Sequence, residues 1–208
     1  MKIPSVKLPF ALLATSLLLS ACGPLIKIGD GSPPPALYSI QPTISGNLSN
    51  EGLVIYVSEP LLPGESIGNR IAVRTDDFEL KFLKDGRWSE PFRMMLHRYF
   101  VGDLAGSVKA QVVGAGLLDI SADCRLTVDF QRFDYETQSN SVVAKATARF
   151  VSLKSGSLLS SKVINISADV SSDKSDKIVS GYNQAASKVS TALSEWLKDA
   201  LPACAAVE

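Results

Sequence analysis

The chain contains little of what most enzyme active sites are built from. It has one histidine, His97, and three cysteines, none of them in a C-x-x-C pair. A zinc site or a Ser-His-Asp triad would have to recruit His97, yet the sequence offers no second histidine and no cysteine at ligand spacing from it. We therefore interpret His97 as a helix-surface residue. The sequence predicts no catalytic residue, no metal site and no cofactor, and it indicates that the protein is not an enzyme.

An excess of one charge sign is also missing. Lysine and arginine total 21 and aspartate and glutamate total 21, with no polybasic run. This balance argues against a nucleic-acid partner and against an electrostatic lipid-binding patch. The Gly-Ala-Gly segment at 114–116 lacks the further residues of a phosphate loop, so we interpret it as a link between strands. We predict that the scattered carboxylates are solvated, on turns and outer strand faces: Asp76, Asp77, Asp119, Asp123, Asp129 and Asp134.

The first residues differ from the rest of the chain. Lys2 and Lys7 precede an apolar run that ends at Leu19, the pattern of a secretory signal peptide. The run is shorter than the roughly 20 apolar residues that a membrane-spanning helix needs. The four residues that end at Cys22, Leu-Ser-Ala-Cys, match the bacterial lipobox, in which the cysteine is acylated, with palmitate among the chains, and becomes the mature N-terminus. The alternative is an ordinary signal peptide with a nearby cysteine.

The predicted domain boundaries follow from this cleavage. We predict a signal peptide over 1–21, a Gly/Pro-rich tether over 22–35 and a single domain over 36–208. Cleavage would leave 187 residues with 19 basic and 21 acidic side chains, a net charge of about −2. In lipoproteins of Gram-negative bacteria, an aspartate at the position of Gly23 commonly signals retention at the inner membrane, and its absence favours export to the outer membrane. We therefore predict a lipid anchor in the outer membrane, with the protein facing the periplasm.

Two cysteines remain once Cys22 is acylated. Cys124 begins a strand-like run and Cys204 ends the last helix, in a compartment that would be oxidising. A bridge between them would join the C-terminus to the sheet and constrain the unfolded chain by roughly 4 kcal/mol. The alternative is two buried free thiols.

The body of the chain alternates between strand and helix patterns. A hairpin is predicted over 69–86, with Ile71 and Val73 on an apolar face that Phe78, Leu80 and Phe82 continue. Apolar residues spaced by three or four predict one helix over about 90–105 and a longer one over 174–203. With about seven strands, these elements predict an α+β two-layer sandwich, with a mostly antiparallel or mixed sheet and both helices on one face.

The junction between hairpin and first helix contains Trp88, which we interpret as a core plug rather than as an exposed anchor for another protein. The order of the lipobox, the early LYSI strand, this junction, the strand RLTVDFQRFDYE and the long last helix resembles the ABC-type transport auxiliary lipoproteins, the group that contains paraquat-inducible protein C. The family's Arg-Ile-x-x-Arg strand and the Arg-Trp-x-Glu-Pro junction that follows it are matched by Arg70, Ile71, Arg74, Arg87, Trp88, Glu90 and Pro91.

The resemblance implies a function that the residues alone do not. It implies an outer-membrane lipoprotein that works with an inner-membrane ABC or related transporter and with a periplasm-spanning MCE-domain (mammalian cell entry) protein. The cargo would be phospholipid or another hydrophobic molecule, and the protein would dock through the outer sheet face, an edge strand or a homo-oligomeric ring. Two alternatives remain, namely a carrier that binds a hydrophobic ligand itself and an assembly factor for an outer-membrane machine.

Overall fold

The computed structural model, which describes residues 34–42, 52–116 and 121–206, has eight strands and three helices in these ranges. They fall within one compact unit, Pro35–Glu208. The α+β fold class is confirmed. In chain order the elements are β1 Ala36–Tyr38, β2 Val54–Val57, α1 Gly64–Ile67, β3 Arg70–Arg74, β4 Leu80–Trp88, α2 Phe92–Ser107, β5 Gln111–Val113, β6 Cys124–Glu136, β7 Ser141–Ser152, β8 Leu158–Asp169 and α3 Ser175–Ala205.

The long strand β6 organises the sheet because it pairs on both of its sides. One side pairs antiparallel with β7 along its whole length, and β7 pairs antiparallel with β8. The other side is shared: β2 pairs in parallel with the start of β6, and β3 pairs in parallel with its end. Outside these, β5 joins β2, while β4 and then β1 continue from β3. The sheet is therefore mixed, with an antiparallel part built from β6, β7 and β8.

A bulge in β6 keeps its large apolar side chains on one face. The register with β7 shifts between Phe130 and Arg132, so that Gln131 is the extra residue. Phe130 pairs with Ala146 and Phe133 with Ala144, and both phenylalanines are buried. The bulge accounts for the break in the alternation of apolar residues between Phe130 and Phe133.

The two long helices cover that same face. Phe92 of α2 and Tyr182 of α3 both contact Phe133, and Trp196 of α3 contacts Phe150 of β7. Gly181 brings α3 close to the sheet, since a Cβ there would lie 2.6 Å from a methyl carbon of Val170. Within the described ranges, no helix combines the length and the apolar character that crossing a membrane requires.

The prediction that His97 lies on a helix surface is wrong. His97 is 7% exposed, and its Nε2–H donates a hydrogen bond to the backbone carbonyl of Val57, at 2.9 Å. The ring also lies against Gly114, where a Cβ would be 3.0 Å from its Cε1. Because α2 contacts β2, β5 and α3, it is buried on more sides than the sequence pattern indicates. His97 links the helix to β2.

Candidate docking surface

Trp88 lies where the hairpin passes into α2, and it is 2% exposed. Its ring stacks on Phe92 with centroids 5.0 Å apart, and it meets the edge of Tyr182 at 5.1 Å. The interpretation of Trp88 as a core plug is confirmed. Strand β4 and helix α2 are thereby held together at the point where the chain changes from one to the other.

Tyr182 connects α3 to the hairpin through its hydroxyl group. The hydroxyl donates a hydrogen bond to the backbone carbonyl of Ala72 in β3, at 2.7 Å. Burial holds the pKa of Tyr182 well above its ordinary value, and the nearby charge of Asp134 acts in the same direction. The hydroxyl therefore keeps its proton and remains a donor to β3.

On the face away from the helices, a buried carboxylate lies between two arginines. The Asp134 side chain is 1% exposed, and it accepts hydrogen bonds from Arg74 of β3 at 3.2 Å and from Arg132 of its own strand at 2.8 Å. Arg132 also pairs with Glu136 at 2.6 Å. The prediction that Asp134 is a solvated carboxylate is wrong, because the pairing of β3 with β6 brings Arg74 over it. Asp119 lies outside the described residues.

The prediction that all the alternating apolar residues of the hairpin face the core is wrong in part. Ile71 and Val73 are buried as predicted, but Phe82 is paired with Ala72 and Leu80 with Arg74. Phe82 therefore lies on the outer face, where the Arg70 guanidinium is 3.7 Å from the centre of its ring. The apolar side chains of β4 at these positions form part of the outer surface of the sheet.

Phe78, at the tip of the hairpin, is 98% exposed. The turn around it is well ordered by hydrogen bonds: the Asp76 carboxylate accepts from the backbone N–H groups of Phe78 and Glu79, both at 2.8 Å. These bonds lower the pKa of Asp76 below its ordinary value. Arg74 donates to the carbonyl of Asp77, so the arginine that pairs with the buried Asp134 also supports the tip. Phe78 is thus presented to solvent on a supported turn.

Comparison with known proteins identifies the family. The model of the family described as the ABC-type transport auxiliary lipoprotein component matches residues 37–194. The chain belongs to this family. No match is found among curated proteins. The resemblance stated from the sequence is therefore confirmed, and with it the transport-associated lipoprotein class.

Two solved structures share the fold of this auxiliary lipoprotein. One is a protein from Xanthomonas campestris assigned to the family DUF330, with 22% identity, a TM-score of 0.71 and coverage of 79% of this chain and 95% of its own. The other is an uncharacterized protein, with 17% identity, a TM-score of 0.65 and coverage of 79% of this chain and 99% of its own. At these identities the likeness shows the fold alone.

The family-motif residues of the auxiliary lipoprotein separate into buried members and a surface group. Ile71 and Trp88 are in the core, whereas Arg70 and Arg87 are exposed and face each other across the β3–β4 pair. Glu90 forms an ion pair with Arg98 in the second turn of α2, which lowers the pKa of Glu90. Pro91 directly precedes α2 and accepts hydrogen bonds from the amides of Met94 and Met95. The motif therefore shapes the hairpin and fixes the start of α2.

Cys124 and Cys204 lie away from the hairpin tip. Cys22 falls outside the described residues. Cys124, at the start of β6, and Cys204, in the last turn of α3, form a disulfide in the structure, with their Cα atoms 6.3 Å apart. Among the described residues, no cluster of three or more His, Cys, Asp or Glu side chains could hold a metal ion. That this bridge also forms in the exported protein stays a prediction.

The predicted position of Phe78 is also wrong, since its alternation with Leu80 and Phe82 indicates a core-facing side chain but Phe78 is exposed. The signal that could have placed it is the run of Asp76 and Asp77 before it and Glu79 after it. An aromatic residue between three carboxylates is more typical of a turn than of a buried strand position.

The cluster at Asp134 is expected to contribute measurably to stability. Breaking a buried ion pair costs about 3–5 kcal/mol, but Arg74 and Arg132 are 18% and 17% exposed and can partly reach water, so Asp134→Ala should lower the free energy of unfolding by about 2 kcal/mol. Asp129→Ala is the matched control on the same strand, because its pair with Arg149 is solvent-exposed and should contribute less than about 0.5 kcal/mol. Equal losses in urea denaturation would contradict this assignment.

Proposed function

We propose that this auxiliary lipoprotein is a docking component of a transport system that moves phospholipid or another hydrophobic molecule across the Gram-negative envelope. In this proposal it binds a periplasm-spanning MCE-domain protein that works with an inner-membrane ABC or related transporter. Acylated Cys22 anchors it in the outer membrane, and residues 22–35 hold the folded domain away from the lipid surface. Family membership supports the transport class, and the hairpin supports the docking role.

The observation that carries the docking role is the exposure of Phe78. Burying a phenylalanine side chain contributes about 1.5–3 kcal/mol to the free energy of unfolding, and Phe78, which is exposed to water, does not provide this stabilisation. Aromatic residues are enriched in protein interfaces, and an ordered turn loses little conformational freedom on binding. The hydrogen bonds of Asp76 hold Phe78 in place before any partner arrives.

The charges around Phe78 indicate what kind of pocket would receive it. Asp76 and Asp77 are exposed beside it, and Glu79 pairs with Lys81 at 2.9 Å. An apolar pocket with a basic rim would complement this tip, and opposite charges would also speed association. The same carboxylates disfavour insertion of Phe78 into an anionic lipid surface. We therefore assign the tip to a protein partner.

Co-purification from crosslinked envelopes tests the proposal. Wild-type protein should recover an MCE-domain protein, whereas Phe78→Ser should reduce the recovery about 10- to 100-fold, which corresponds to the loss of one buried phenylalanine. Leu158→Ser is the control, because Leu158 is an exposed apolar residue at the start of β8, away from the hairpin. Recovery of only cell-wall or polysaccharide machinery, or equal recovery by the two variants, would contradict the proposal.

A further inference from the structure

A groove of about 730 Å³ lies at the other end of the domain. Its walls are the last turns of α3, the segment that joins α2 to β5, and the residue before β2. The disulfide joins the start of β6 to this end of α3, whereas the hairpin tip lies beside the opposite end of β6. The groove and Phe78 are therefore separated by the length of the longest strand, about 40 Å.

The floor of the groove is apolar. On α3, residues 198, 201, 202 and 205 share one side of the helix, next to the buried side that carries Leu197, Ala200 and Cys204. Leu201 and Leu53 are only half-buried, and Pro202 and Ala205 are exposed. The volume falls in the range of about 300–1,000 Å³ that small-molecule sites occupy. The apolar lining of the groove would favour contact with an alkyl chain.

Two lysines from different parts of the chain line this groove. Lys109 follows α2 and Lys198 lies on α3, and both are exposed. Within the described parts of the chain, neither lysine forms a salt bridge and no carboxylate lines the groove. Two ammonium groups beside an apolar floor are complementary to a molecule with an anionic head and an apolar tail.

We propose that this groove binds an anionic amphiphile, with its alkyl chain along Leu53, Leu201 and Pro202 and its head group at Lys109 and Lys198. The site is separate from the hairpin, so it does not depend on docking through Phe78. The auxiliary lipoprotein would then hold one amphiphile at the end of α3 while the hairpin contacts a protein.

Photoaffinity labelling of the full-length protein in purified membranes tests this site. The probe is dodecyl phosphate carrying a diazirine on its chain, and the matched probe carries trimethylammonium in place of phosphate. We expect the phosphate probe to label peptides that contain Leu53 or residues 201–205, several-fold more strongly than the ammonium probe does. Unlabelled dodecyl phosphate should compete, whereas inorganic phosphate should not, which separates recognition of an amphiphile from recognition of a free anion.

Charge reversal gives the sharper comparison. The double variant Lys109→Glu and Lys198→Glu changes two exposed residues and should reduce labelling by the phosphate probe about tenfold. The control reverses two exposed lysines elsewhere on the domain, Lys145→Glu and Lys162→Glu, and should label as the wild type does. The proposal is overturned if the groove variant labels like its control, if the labelled peptides lie elsewhere, or if inorganic phosphate competes as well as dodecyl phosphate.

Discussion

Trp88→Ala is expected to lower the free energy of unfolding by about 4 kcal/mol, measured by urea denaturation. Trp88 is almost fully buried, and its removal would leave a cavity between Phe92 and Tyr182, which it contacts at 5.0 and 5.1 Å. Because the two neighbours belong to different helices, the surroundings can collapse only partly into this space. The lost free energy of unfolding therefore includes both the transfer free energy of the removed apolar atoms and the cost of the cavity that they leave.

Trp196 provides the matched control. It is half-buried on α3, its ring meets Phe150 at 6.4 Å, and its indole N–H donates to the Ser160 hydroxyl at 3.0 Å. Trp196→Ala should cost about 2 kcal/mol, since part of this side chain already contacts water. If Trp88→Ala prevents folding, Trp88→Phe should retain a folded protein with a smaller loss. A loss below about 1 kcal/mol for Trp88→Ala would refute the core-plug assignment.

Loss of the disulfide between Cys124 and Cys204 should have an effect of similar size. The bridge closes a loop with a sequence separation of 80 residues, and the chain-entropy account assigns about 4 kcal/mol to a loop of this length. Cys204→Ser should therefore lower the free energy of unfolding of the exported protein by about that amount. It should also loosen the last turn of α3, which forms one wall of the groove.

Reductant distinguishes a bridge from two buried thiols. It should lower the urea midpoint of the wild type to that of Cys204→Ser, and it should leave the variant unchanged. Without reductant, neither Cys124 nor Cys204 of the unfolded wild-type protein should react with an alkylating agent. Complete alkylation of both cysteines under these conditions would show that the bridge does not form in the exported protein.

Elements with a strong periodic pattern are predictable from this sequence. The long last helix is predicted over 174–203 and spans Ser175–Ala205, because its apolar residues repeat every three or four positions over many turns. Strands β6, β7 and β8 are also predictable, since they follow one another in the chain and each pairs with its neighbour in sequence. A local sequence pattern is therefore enough to predict elements whose contacts are mainly with neighbouring segments of the chain.

Contacts between distant segments are what the sequence could not predict. The parallel pairing of β3 with β6 places Arg74 over Asp134, and nothing near either residue indicates it. His97 is buried because α2 contacts β2 and β5, whose positions depend on two further parallel pairings, of β2 with β6 and of β2 with β5. The short helix α1 has too few residues for a periodic signal. These features depend on the arrangement of the whole sheet.

The candidate docking surface was predictable only where local sequence determines the position of a residue. Trp88 is a large aromatic residue directly before a helix, so its role as a plug follows from local sequence. Phe78 alternates with Leu80 and Phe82 and was predicted to face the core, yet Phe82 lies opposite Ala72 on the outer face and Phe78 lies in the turn. The hydrogen bonds of Asp76, rather than the alternation of apolar residues, determine where the turn begins.

The proposed contact between the hairpin tip and a protein of the transport system is tested most directly by photo-crosslinking. A photo-crosslinking amino acid is placed at position 78 and, as a control, at position 158, in cells that export the lipoprotein. We expect a crosslinked product with an MCE-domain protein from position 78 and none from position 158. No product from position 78, or the same product from both positions, would contradict it.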